Sequence, residues 1–212
     1  MCPTVDPTEQ LTIGFVGALA DLGLAHVAIS PGSRNTPLSL AFLNEPRIQA
    51  HTVLDERSGG FFALGAAKAS WMPAAVVSTS GTAAANYHPA VIEADASRTP
   101  LLVLTADRPP ELRGTGANQT IDQTKLYGDA VRLFHDVGVP DAEVAAGARS
   151  LAIRAWAAAA DVPAGPVHLN FPFREPFPTP STPAEPAGAR HVPGYRTLPP
   201  EAIARLADHL SG

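Results

Sequence analysis

The sequence predicts an α/β fold: a doubly wound, mostly parallel six-stranded sheet with helices on both faces. Two observations carry this. Six short apolar runs alternate with six segments of helical length across residues 8–171, the pattern of strands joined by crossover helices. The runs are also nearly continuous in hydrophobicity, as expected of strands buried on both faces of a parallel sheet.

In chain order, helix 8–22 leads into the first strand, HVAIS at 26–30. Helix 35–44 follows, then IQAHTVL at 48–54, helix 56–70 and AAVVS at 74–78. Helix 82–97 precedes PLLVLTA at 100–106; a long polar loop and helix 120–130 precede RLFHDV at 132–137. Helix 141–161 leads to PVHLNF at 166–171. Residues 1–175 therefore form one α/β domain. From 176 to 196 prolines are too dense for a helix or central strand, which reads as an extended linker. Segment 197–212, with LPPEAIARLADHL, has a proline start and helical apolar spacing. It is expected to begin a second domain that lies outside this chain.

Composition narrows the function. The 212 residues carry a net charge of −5 with scattered basic residues, which argues against a nucleic-acid surface. No apolar run approaches the roughly 18–20 residues of a membrane span. The start, MCPTVDPTEQ, lacks the basic and apolar regions of a secretion signal, and Cys2 is the sole cysteine. These features favour a cytoplasmic protein. Of 15 basic residues only Lys68 and Lys125 are lysine; arginine suits bidentate recognition of carboxylate or phosphate, although a base-composition bias would give the same excess.

Ligands of open parallel sheets collect beyond the carboxyl ends of the strands, and four turns fall there. SPGSRN at 30–35 places Ser33 and Arg34 at a helix entrance, where free N–H groups and a guanidinium suit an anion. An N-cap at Ser33 explains the same pattern. LDERSGG at 54–60 offers two acids. Asp55 reads as a helix cap. Glu56 reads either as a first-turn acid or as a carboxyl group at a buried strand end, its pKa raised by desolvation and able to share a proton with a ring nitrogen. STSGTAAANYHP at 78–89 contains Gly81 and small residues that let something approach the backbone, or that merely pack tightly. The loop at 105–123 carries Arg108, Arg113, Asn118 and Gln119. Each alone is equally a solvated surface residue; a binding cleft requires several to converge.

Taken together, SPGSRNTPL, DERSGGFFALGAAK, TSGTAAAN, TADRPPEL, GANQTIDQ and GPVHLNFPFREP closely resemble the N-terminal region of the 2-succinyl-5-enolpyruvyl-6-hydroxy-3-cyclohexene-1-carboxylate synthase family. The likeness covers about residues 8–175. TSGT departs from the SGPG turn of acetolactate-synthase-like relatives. The resemblance implies the pyrimidine domain of a thiamine-diphosphate-binding fold. It implies a transferase of menaquinone biosynthesis that decarboxylates 2-oxoglutarate and adds the remaining unit to isochorismate. Glu56 then matches the glutamate that bonds N1′ of the aminopyrimidine. Gly81, Thr82 and Asn86 join it as cofactor-binding residues. Ser33, Arg34, Arg108, Asn118 and Gln119 face the carboxylate substrates, with Gln119 also catalytic. The diphosphate and Mg²⁺ or Mn²⁺ belong to a separate domain with a Gly-Asp-Gly motif, which this sequence lacks; a second subunit supplies it in a homo-oligomer. The chain alone is expected to be inactive. A noncatalytic dimerisation or binding module and another thiamine-diphosphate carboligase are the alternatives. A generic nucleotide-binding domain is disfavoured, because neither G-x-G-x-x-G nor a Walker sequence follows the first strand.

Overall fold

A computed structural model describes residues 6–177. Asp6 starts the fold: its carboxylate accepts from the N–H groups of Thr8 and Glu9, capping α1 (Pro7–Leu22), and Gly23 ends the helix in a left-handed conformation. The order then runs β1 (His26–Ile29), α2 (Thr36–Leu43), β2 (Gln49–Thr52), α3 (Glu56–Ser70) and β3 (Ala74–Ser78). α4 (Thr82–Asn86), α5 (His88–Ala96), β4 (Leu101–Asp107), β5 (Leu133–Asp136), α6 (Ala142–Ala146), α7 (Ala148–Ala160) and β6 (Pro166–Pro172) complete it.

The strands form one sheet in the order β2-β1-β3-β4-β6-β5, and every pairing is parallel. Because successive side chains alternate faces, the sheet feeds two cores. Val27, Ile29, Val77, Leu102, Leu104, Val167 and Leu169 pack with Phe15 and Leu19 of α1, Phe42 of α2 and Trp156 of α7. Ala28, Val76, Leu101 and Val103 pack with Leu64 and Ala67 of α3 and Val91 of α5. At about 25 cal/mol per Å² of apolar surface, burying side chains of this size contributes most of the stability. Helices cover both faces, as the sequence predicts.

Continuous burial holds for β3, β4 and β6 but not for β2 and β5. These two are the sheet's edges, covered on fewer sides. Three helices differ from expectation. Segment 120–130 is not helical except for a 3-10 turn at Gly128–Ala130. Asp122 captures the N–H of Thr124, and Lys125 and Gly128 take positive φ, so the helical ladder never starts. Segment 82–97 divides at Tyr87, just before Pro89, which has no N–H to donate backward. Segment 141–161 divides at Gly147. The linker and the 197–212 helix lie outside the described residues, apart from the linker's first two positions. Among the described residues no helix is long and apolar enough to cross a membrane.

The strand order reverses at β1: the chain passes outward to β2 and then returns across β1 to β3. The turns after β1 and β3 therefore lie at the strand-order reversal, the position where open α/β sheets bind ligands.

Candidate active site

At this reversal the turn after β1 rides directly on the turn after β3. A Cβ on Gly32 would stand 2.5 Å from Cβ of Thr79, so only glycine permits the approach. Asn35 braces the same turn by donating to the carbonyl of Ser30 at 2.9 Å. Tyr87 OH reaches from the end of α4 to the carbonyl of Val77 at 3.0 Å. The result is a rigid floor.

Above it lies a cavity of about 460 Å³ lined by Pro31, Gly32, Ser33, Arg34, Thr79, Arg108, Gln119 and Glu175. Four of the residues singled out in the sequence, Ser33, Arg34, Arg108 and Gln119, thus meet in one place. They come from the turns after β1 and β4 and from the long loop, and Glu175 arrives from beyond β6. Ser33 is exposed and caps no helix; α2 begins at Thr36, and the residue at its N-cap is Asn35.

The two cavity arginines differ. Arg34 is only 5% exposed. Its Nη1 donates to the carbonyl of Phe173 at 2.7 Å and its Nη2 to Glu175 Oε1 at 2.7 Å, while the Phe177 ring lies 4.9 Å from its Cζ. Burial, and next the charge of Arg108, pull the Arg34 pKa below its ordinary value; Glu175 opposes both. The Arg108 guanidinium has no carboxylate partner among the described residues; only its backbone N–H donates to one, Asp107 Oδ1 at 2.7 Å. Its Nη1 donates to Ser80 Oγ at 3.1 Å and its Nη2 to the carbonyl of Asn118 at 3.0 Å. The cavity holds two guanidinium groups against one carboxylate, and Arg108 is the positive charge left over.

Gln119 has a left-handed backbone, φ 55°. Its side-chain Nε2 donates to the carbonyl of Ser80 at 3.0 Å, and its own carbonyl accepts from Ser80 Oγ at 3.0 Å. Gly81 makes this possible. Its N–H is spent inward on Gln123 Oε1 at 2.8 Å, so its part in the site is to admit Gln119 rather than to donate to a ligand. Asn118 is exposed and contributes its carbonyl. Thr82 and Asn86 lie on the exposed side of α4, where Asn86 Nδ2 donates to the carbonyl of Thr82, and neither lines the cavity.

Glu56 stands outside the cavity lining, as the first residue of α3. Asp55 caps that helix by accepting from the N–H of Ser58 at 2.7 Å. Glu56 is half-buried rather than buried, because β2 is an edge strand. Its carboxylate accepts no hydrogen bond from any described residue. Burial first, and the Glu56 charge with it, raise the Tyr87 phenol well above its usual range, which puts Glu56 in electrostatic reach of the crevice floor. An unpartnered carboxylate at a strand's carboxyl end fits a protonated ring nitrogen of an aminopyrimidine. No cluster of three His, Cys, Asp or Glu side chains suited to a metal occurs among the described residues.

Several residues of this site escaped the sequence reading. Gln123 Nε2 donates to Ala106 O and to Asn170 Oδ1, and Asn170 Nδ2 donates to Asp107 Oδ2. Thr105 and His168 extend the buried chain. Arg113, which the sequence did single out, does not line the cavity: it stands 2.9 Å from Asp107 Oδ2, an ion pair without hydrogen-bond alignment, and donates from Nη1 to Asp136 at 3.0 Å. It anchors the long loop to the sheet. Burial raises the Asp107 pKa, and the bond from Asn170 counters it. The weak cue in the sequence was polar residues near the ends of two apolar strands.

Comparison with known proteins agrees with this architecture. Residues 11–126 match the family model described as thiamine pyrophosphate enzyme, N-terminal TPP binding domain. Three similar proteins bear the name 2-succinyl-5-enolpyruvyl-6-hydroxy-3-cyclohexene-1-carboxylate synthase. That of Thermobifida fusca is 58% identical over 175 residues, 82% of this chain and 32% of the relative. That of Haloquadratum walsbyi is 53% identical over 213 residues, 93% of this chain and 34% of the relative. That of Haloarcula marismortui is 56% identical over 177 residues, 82% of this chain and 30% of the relative. The chain spans about a third of the length of the curated relatives it matches.

Proposed function

From the premise that this chain belongs to the family of thiamine pyrophosphate enzyme N-terminal TPP binding domains, we propose that it is the pyrimidine-binding part of a 2-succinyl-5-enolpyruvyl-6-hydroxy-3-cyclohexene-1-carboxylate synthase. In this reading 2-oxoglutarate loses carbon dioxide, and its remaining four-carbon unit is joined to isochorismate in menaquinone biosynthesis. The observation that carries it is the convergence of Ser33, Arg34, Arg108 and Gln119 on one cavity at the strand-order reversal.

When bound, thiamine diphosphate supplies the electron sink for decarboxylation and carbon–carbon bond formation. The chain's own residues do the rest. Glu56 shares a proton with N1′ of the aminopyrimidine. Arg108, whose charge is uncompensated, receives a substrate carboxylate; Arg34, spent on Glu175, adds field rather than a free fork. The exposed Ser33 hydroxyl and Asn118 complete the anion side. Gln119 offers its amide to the reacting centre, Gly81 admits Gln119, and Thr82 and Asn86 meet the cofactor from outside the cavity.

The diphosphate and a Mg²⁺ or Mn²⁺ ion are held by a different domain, contributed by a second subunit of a cytoplasmic homo-oligomer. Residues 1–175 form the pyrimidine domain, 176–196 the linker and 197–212 the start of the next domain. The test is product analysis with the complete enzyme containing this chain. Thiamine-diphosphate-dependent consumption of 2-oxoglutarate with isochorismate, yielding the succinylated ring acid, is expected. Turnover of pyruvate with no use of 2-oxoglutarate would instead mark another carboligase.

A further inference from the structure

We infer that Ser80 is a positioning residue that fixes Arg108 and Gln119 relative to each other; the inference rests on the cavity reading above. Ser80 is fully buried and does not line the cavity, so it acts through others. A hydroxyl has one hydrogen and two acceptor sites. Here its roles are forced. The Gln119 carbonyl only accepts, so the Ser80 proton goes there at 3.0 Å. The Arg108 guanidinium only donates, so Ser80 Oγ accepts from Nη1 at 3.1 Å. The Ser80 carbonyl then takes Gln119 Nε2 at 3.0 Å.

Arg108 closes the circuit by donating from Nη2 to Asn118 O at 3.0 Å. One serine thereby sets the direction of the guanidinium and, through two bonds, both the backbone and the amide of Gln119. Ser80 is itself held. Its neighbour Gly81 donates to Gln123 Oε1 at 2.8 Å, and Gln123 Nε2 is tied to Asn170 Oδ1 at 2.9 Å on β6. The donor and acceptor ends of this Gln123 amide cannot be exchanged, because its NH₂ would then oppose the Gly81 N–H. The cavity's two polar arms are thus referenced to the sheet through Ser80.

A double-mutant cycle in the complete enzyme tests this. Ser80→Ala should raise KM for the carboxylate substrates about tenfold, the effect of losing one charge-assisted hydrogen bond. It should add no further KM change in an Arg108→Ala background. Ser80→Cys, nearly isosteric with a weaker donor, should fall between wild type and Ser80→Ala, and it carries the test if the alanine variant does not fold. Additive effects of Ser80→Ala and Arg108→Ala would overturn the inference, because a residue that merely stabilises the fold would act in either background. A raised KM in Arg108→Ala with an unchanged KM in both Ser80 variants would also overturn it. Unchanged KM in Arg108→Ala itself would condemn the cavity reading instead.

Discussion

Gly81 and Gln119 approach so closely that a Cβ on the glycine would stand 2.9 Å from Gln119 Cγ and 3.0 Å from its carbonyl oxygen. Gly81 also holds φ 82° and ψ −144°, a conformation that L side chains rarely adopt. Gly81→Ala therefore meets both backbone strain, on the order of 1–3 kcal/mol, and a collision with the residue assigned to the reacting centre. The expected outcome is a lower urea midpoint together with a fall in kcat greater than the stability loss explains. A variant with wild-type kcat would separate Gln119 from the chemistry.

The Arg34–Glu175 pair is lopsided, with side chains 6% and 66% exposed. Removing the exposed partner by Glu175→Gln should cost at most about 1 kcal/mol. Removing the buried one by Arg34→Met leaves the Phe173 carbonyl without its partner and should cost about 2–4 kcal/mol. Glu175→Gln also removes the cavity's one carboxylate, making its net charge more positive by one. KM for the anionic substrates should fall at low ionic strength and converge on wild type as salt screens the field. Equal destabilisation by the two variants, or a rise in KM for Glu175→Gln, would contradict the charge assignment.

His168 is fully buried between β4 and β5, with Nε2 2.8 Å from Thr105 Oγ1 and no partner at Nδ1. Burial lowers its pKa from 6.5 to about 3. The unfolded chain thus binds more protons over that interval. The stability from keeping His168 neutral is present in full above pH 6.5 and drains away as pH falls towards 3. From pH 6.5 to 5 the loss attributable to this residue is roughly 2 kcal/mol. His51 and His135 are also depressed by burial and steepen the same slope, so the readout is the difference between proteins. Urea midpoints of His168→Gln should vary less with pH over this range than those of wild type; parallel profiles would refute the assignment.

The sheet could be read from sequence because its central strands, AAVVS, LLVLTA and PVHLNF, are mainly apolar with no regular polar alternation, where the fold buries both faces. Asp55 could be read as a cap because capping is local. The site was only half visible for the opposite reason. Arg34 and Glu175 are 141 positions apart, and no local pattern announces their pairing. Ser80 and Gln123 resemble solvated turn residues until the β4–β6 register sets Thr105 beside Asn170 and draws the loop inward. The error at 120–130 has a similar origin. One Asx contact and two left-handed residues keep this segment from closing a helical ladder. The role expected of Glu56 comes from the company of its motif, since an acid in a first helical turn is ordinary by itself.

The central claim is that Glu56 is the proton partner of a bound aminopyrimidine while Asp55 only caps α3. Hydrogen–deuterium exchange at C2 of thiamine diphosphate, followed by NMR on the complete enzyme, tests it directly. Glu56→Gln should slow exchange by at least about a hundredfold, since an amide cannot share the proton. Asp55→Asn, which retains a capping oxygen, should leave exchange near wild type. Near-normal exchange in Glu56→Gln would contradict the account.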